Sequence, residues 1–148
     1  MRHVHFDESH RIRNDGEITI KPELQCVIGE SILLFGSYCA VLLQIAKPEI
    51  GHAIAMHTKF KNRPFDRIRT TLAYIYGVAF GTPDEIKRVS EIVNISHSEV
   101  IGDGYSADDP ELQLWVAATI YYTAIRLYEL VFTPLSADMA ERVYQQYL

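Results

Sequence analysis

Sulfur is scarce in this chain of 148 residues, with two cysteines and three methionines. Cys26 and Cys39 form no C-x-x-C or related spacing, which excludes a zinc ribbon, an iron–sulfur site and a thioredoxin-type redox pair. Both lie in an apolar stretch, so buried free thiols in a reducing compartment are the expectation. Basic residues are also in deficit: 14 Lys and Arg against 19 Asp and Glu leave a net charge of -5. Broad nucleic-acid binding needs a basic surface and is excluded on that ground. One group of cations, Lys59, Lys61, Arg63, Arg67 and Arg69, runs against the acidic whole. Against that background it reads as a solvated face rather than a phosphate-binding surface. No glycine-rich phosphate loop, nucleophile elbow or zinc motif is present.

Uninterrupted hydrophobic runs are short as well. The uncharged stretch from Ser31 to Ala46 falls below the roughly 18–20 residues of a membrane span, and Glu30 and Lys47 bracket it. The stretch from Leu112 to Leu135 is long enough, but Arg126 and Glu129 interrupt it. Both read as core helices, and no integral membrane segment is expected. Met1 to Asp15 is charged and lacks the apolar segment of a signal peptide, so a cytoplasmic location is expected. His3, His5, Asp7, Glu8 and His10 match no defined metal spacing, and residues 1–21 are expected to be poorly ordered.

What is present is an ordinary globular composition, 48% hydrophobic and 22% charged. Pro22 and Glu23 suit a helix start, and that helix reads as continuing through Leu43, apolar nearly all round and therefore buried. Gly29 and Gly36 fall on one face of it, as close helix packing would require. After the break at Lys47-Pro48, a short helix from Glu49 to His57 and a longer one from Phe65 to Phe80 are expected, the latter ended by Gly81. Thr82-Pro83-Asp84-Glu85 and Asp109-Pro110-Glu111 are strong helix starts. Gly102, Gly104 and Asp108 mark a loop between them, Trp115 to Phe132 reads as a central helix, and Ser136 caps a last one. Strand signals are weak. The expectation is an all-α fold, one compact multi-helix domain over residues 22–148 with a buried central helix pair.

His97 continues an apolar stripe made by Ile86, Val89, Val93 and Val100 at spacings of three and four. Such an imidazole either satisfies itself on a backbone carbonyl or serves as an axial ligand to haem iron. Arg67, Thr71, Tyr74 and Val78 share a face of their own helix. Arg67 and Thr71, four apart, suit a carboxylate, a haem propionate or bound oxygen; they are equally an exposed arginine and a threonine bonded to its own turn. His52 and His57 are five apart, a spacing that points them in different directions on a straight helix and makes no zinc pair.

A series of segments in order resembles the rubber oxygenase and MpaB-type oxygenase family. Leu33-Leu34-Phe35-Gly36 and Ala40 to Ala46 resemble its first buried helix, and Pro48 with His57-Thr58-Lys59-Phe60 its His-Pro and His-Ser-x-Phe segment. Arg67-Ile68-Arg69-Thr70-Thr71 and Phe80-Gly81-Thr82 resemble its arginine–threonine helix and the turn after it. His97-Ser98-Glu99-Val100-Ile101-Gly102 resembles its His-x-x-Val-x-Gly segment. Tyr105 to Leu112, ending in Leu114-Trp115-Val116, is the most specific correspondence.

The resemblance implies a haem-dependent oxygenase with haem b held by His97 as the metal ligand. Arg67 and Thr71 would act beside the iron as catalytic or propionate-binding residues. Dioxygen and an apolar isoprenoid- or lipid-like molecule would be the substrates, with Tyr74, Leu114, Trp115 and Ile120 lining the channel. Association with the endoplasmic reticulum is a further implication. Lys47 stands where the family has the histidine of His-Pro, Ala117 where a histidine is usual, and Thr70 at a position basic in many members. These departures fit an alternative reading, a reduced, non-catalytic helical domain that binds an apolar ligand or a partner helix.

Overall fold

Five of the chain's six prolines open helices. Proline costs nothing at that position, since its missing N–H would have no intrahelical partner and its fixed φ already suits a helix. The computed structural model describes residues 21–57 and 64–148, with 64–67 described as backbone only. In chain order it contains α1 (Pro22–Ile28), α2 (Leu33–Ile45), α3 (Pro48–Met56), α4 (Pro64–Phe80), α5 (Pro83–Ser98), β1 (Ile101–Gly102), β2 (Tyr105–Ser106), α6 (Pro110–Val131) and α7 (Ala137–Tyr147). The fold is all-helical, as the periodicity predicts. The segment expected to be poorly ordered, the tail histidines within it, and the basic link of Lys59, Lys61 and Arg63 lie outside the described residues, as does the Arg67 side chain.

Capping chemistry sets the other boundaries. Thr82 forms a reciprocal capping box with Glu85: the Thr82 hydroxyl accepts from the Glu85 backbone, and Glu85 Oε2 accepts from Thr82 N at 2.8 Å. Asp109 accepts from Glu111 N at 2.8 Å and Ser136 from Met139 N at 3.3 Å. The glycine-rich loop after α5 closes into a minimal antiparallel hairpin, pairing Ile101 with Ser106 and Gly102 with Tyr105. Gly104 supplies the positive φ of 76° that its turn needs.

Two expectations about the first helix are corrected. The segment from Pro22 to Leu43 is not one helix: it breaks after Ile28, and α1 and α2 meet at 88°. Gly29 and Ser31 propagate a helix poorly, and the break lets two apolar faces point in different directions. Leu24, Val27 and Ile28 of α1 join Ala79, Ala124 and Val143 in the core, where Val27 and Val143 are completely enclosed. Gly29, expected to share a packing face with Gly36, is instead the C-cap of α1. The end helices lock together through Arg142 Nε donating to Glu23 Oε1 at 2.8 Å and Leu24 N donating to Gln146 Oε1 at 2.9 Å.

The central pair is α2 against α6. Gly36 permits it, because a Cβ there would fall on Leu127 and within 3.2 Å of Thr123 Cγ2. The buried residues of α2 are Gly36, Ala40 and Gln44, while Phe35 and Leu42 are 75% and 64% exposed. An all-round apolar helix therefore buries only its small-residue face here. The cysteines, expected to be buried, are exposed; Cys39 lies on the open side of α2, and Cys26 faces the Tyr128 hydroxyl at 3.8 Å. No single helix among the described residues is long and apolar enough to cross a membrane.

Candidate functional site

The two-residue link Gly81-Thr82 folds α4 and α5 into a hairpin. Gly77 and Val89 meet across it, a Cβ on the glycine lying 3.0 Å from one valine methyl. The residues of α5 that escape full exposure are Ile86, Val89, Ser90, Val93 and His97, the stripe anticipated from the periodicity. From the Gly77–Val89 contact, α4 runs back to Thr71 and Arg67 while α5 runs forward to His97. All three positions therefore stand at the open end of the hairpin.

His97 is partly buried, its Nδ1 atom is enclosed, and the residue is engaged by its surroundings. Its carbonyl accepts from Val100 N at 2.8 Å, which turns the chain from α5 into the hairpin loop. Thr71 lies on α4. With Ile68, Leu72 and Ile75 it lines a partly open cavity of about 60 Å³ between α2, α4 and α6, and Ile120 and Thr123 border the same space. His97 is not part of that wall. The hairpin thus brings Thr71 and His97 to one end of the molecule but not into one described pocket. Of the channel residues suggested by the resemblance, Ile120 lines the cavity, whereas Tyr74, Leu114 and Trp115 are exposed. The indole N–H of Trp115 donates to the Leu43 carbonyl at 3.3 Å.

The two departures from the family pattern have structural partners. Lys47 lies 4.0 Å from Glu111 in the first turn of α6. Ala117 offers its carbonyl to the Tyr147 hydroxyl, which donates at 2.7 Å. Burial, then neighbouring Tyr74 and Tyr121, pushes the Tyr147 phenol up to about 12.

A constellation the sequence did not announce sits where the β-hairpin meets α3. Tyr105 in β2 stands between His52 and His57 of the α3 region, its ring 5.7 Å from that of His52 and its hydroxyl 3.4 Å from His57 Nε2. Glu49, in the first turn of α3, has one carboxylate oxygen buried without a hydrogen-bond partner. Packing of the hairpin on α3 makes this group, and no spacing within either segment signals it.

Among the described residues no group of three or more His, Cys, Asp or Glu side chains could hold a bare metal ion. A lone imidazole cannot retain iron unaided, and a protein-only iron site of the common type needs two histidines and a carboxylate. A porphyrin supplies four nitrogens itself and asks the protein for a single axial ligand. His97 is one such donor, and the cavity that Thr71 lines does not include it.

The sequence matches, over residues 25–148, the family described as ER-bound oxygenase mpaB/B'/Rubber oxygenase, catalytic domain. It is 32% identical over 114 residues to an uncharacterised protein of Mycobacterium bovis and to one of Mycobacterium tuberculosis. Each alignment covers 71% of this chain and 45% of the relative, so the chain spans about half the length of the curated relatives it matches. No solved structure matches it.

Proposed function

This chain belongs to the mpaB/rubber oxygenase catalytic-domain family, and from that premise we propose that it is a haem-dependent oxygenase using dioxygen on an apolar isoprenoid- or lipid-like substrate. The observation that carries the proposal is His97, a partly buried imidazole on the inner stripe of α5, level with Thr71 and Arg67 of α4. When bound, haem supplies the redox chemistry toward dioxygen, and the protein supplies placement and polarity.

In this reading His97 would hold the haem iron through one neutral ring nitrogen, which must be unprotonated to bind it. Val93 and Val100, the latter 7% exposed, stand four residues before and three after His97 on the same stripe, an apolar setting for the ring. Arg67 would contribute a cation to a propionate or to negative charge developing on an oxygen atom, an interaction worth more out of water than in it. Thr71 would hold a water or an oxygen by a hydrogen bond from its hydroxyl. Leu114 and Tyr122, exposed on α6, offer apolar surface on which a chain-like substrate can lie.

The test is spectroscopic. Purified with added haemin, the wild-type chain should show a strong Soret band that His97→Ala loses or shifts. A wild-type chain without the band would overturn the haem reading. The open face of α2, with Leu34, Phe35, Tyr38 and Leu42 all exposed, favours a second reading, a non-catalytic helical domain that covers this face with an apolar ligand or partner helix. That reading predicts no Soret band in either protein.

A further inference from the structure

We infer that the cavity between α2, α4 and α6 is a docking site for a small apolar gas, and that in an oxygenase the occupant is dioxygen. Its walls are mainly aliphatic, built from Ile28, Leu33, Ile68, Ile75, Ile120 and Leu127. Its volume, about 60 Å³, falls well short of the roughly 150 Å³ apolar cavity that takes up a benzene ring. It exceeds the 10–15 Å³ or so that a single water requires. Size therefore selects atoms and diatomic molecules over rings and branched chains.

Polarity selects in the same direction. An ordered water needs two to four polar partners. The Ser37 hydroxyl turns back toward the Leu33 carbonyl at 3.5 Å, and Gln44 is engaged elsewhere. The hydroxyls of Thr71, Tyr76 and Thr123 are the remaining side-chain polar groups of the lining, and Thr123 Oγ1 is enclosed without a hydrogen-bond partner. Its neighbour one turn earlier behaves in the ordinary way, Thr119 Oγ1 donating to the Val116 carbonyl at 2.7 Å. A space bordered by methyl and methylene groups with so few polar atoms stays dry and suits an uncharged, weakly hydrated guest. Gly36 and Ala40 form the small-residue part of the α2 wall, and a Cβ on Gly36 would already meet Leu127.

The site deepens the oxygenase reading by giving one co-substrate a place beside Thr71, yet it does not need haem to be observed. The experiment uses the full chain without haemin and xenon as the probe. Methyl NMR under xenon pressure should show saturable shifts confined to Ile75, Ile120 and Leu127, and dissolved dioxygen should broaden the same methyls beyond those on the surface. Ala40→Leu, which fills the space, should abolish both effects. Thr123→Val, nearly equal in shape, should retain or strengthen them and remains informative if Ala40→Leu does not fold. No localised saturation in the wild type, persistence of the shifts in folded Ala40→Leu, or loss in Thr123→Val would overturn the inference. Xenon shifts without dioxygen broadening would overturn the dioxygen assignment. Failure of the haem reading would appear separately, as a missing Soret band.

Discussion

Gly77 of α4 lies against Val89 of α5 so closely that a Cβ on the glycine would stand 3.0 and 3.1 Å from the two valine methyls. This contact fixes how near the two helices come and hence where Thr71 and His97 stand relative to one another. Gly77→Leu should push the hairpin apart and destabilise the fold by about 1–3 kcal/mol, the usual cost of overpacking. Urea denaturation would read this as a lower midpoint at nearly unchanged slope, and a variant as stable as the wild type would mean that the seam is loose.

The hairpin was largely legible in the sequence, because both of its determinants are local. The Thr82-Pro83-Asp84-Glu85 start and the stripe of Ile86, Val89, Val93 and His97 each depend on residues within a few turns. The helix break after Ile28 was less legible. An apolar run from Leu24 to Leu43 satisfies the helix period throughout, and only tertiary packing decides that α1 belongs with α7 and α2 with α6. The same reason explains the exposed cysteines and the open face of α2: composition states that a helix is apolar, not which side finds a neighbour. The grouping of Tyr105 with His52 and His57 was invisible for want of any local signal.

The cap of α5 offers a second test. The backbone and hydroxyl of Thr82 both donate to Glu85, and these bonds hold the Glu85 carboxyl below its ordinary range. A carboxylate with a depressed folded pKa contributes stability that is present above its unfolded pKa and lost as pH falls through the folded value. Thr82→Ala removes the hydroxyl and should cost about 1 kcal/mol. It should also move the Glu85 titration back up toward the ordinary value without abolishing the shift, because the backbone bond survives. A carbon-detected NMR titration of Glu85 would check this, and an unmoved titration would contradict it.

The Tyr105 group makes a prediction that separates ring packing from hydrogen bonding. Tyr105→Phe keeps the contacts to His52 and His57 and loses only the 3.4 Å approach of its hydroxyl to His57 Nε2. A net hydrogen bond contributes about 0.5–1.5 kcal/mol, and one this long belongs at the lower end. Tyr105→Ala should cost several times more and release the hairpin, so that the Ala107 amide, which donates to the Val100 carbonyl at 2.9 Å, exchanges faster with solvent. Equal effects of the two substitutions would show that the hydroxyl, rather than the ring, anchors the hairpin on α3.

Tyr147 gives the protein a predictable alkaline limit. Its hydroxyl donates to the Ala117 carbonyl at 2.7 Å, and burial raises its pKa to about 12. An unfolded tyrosine titrates near 10 or so, so the folded state holds this proton more tightly than the unfolded state does. The resulting stability is complete below the unfolded pKa and drains away as pH rises from there through the folded value. Chemical denaturation midpoints should therefore fall between roughly pH 10 and 12 by this linkage. Tyr147→Phe should lower stability at neutral pH, because Ala117 loses its donor, and should flatten that part of the alkaline decline which Tyr147 causes. Tyr121 and Tyr128 are also raised by burial and would leave a residual slope. A decline in Tyr147→Phe as steep as in the wild type would assign the alkaline limit to those two phenols instead.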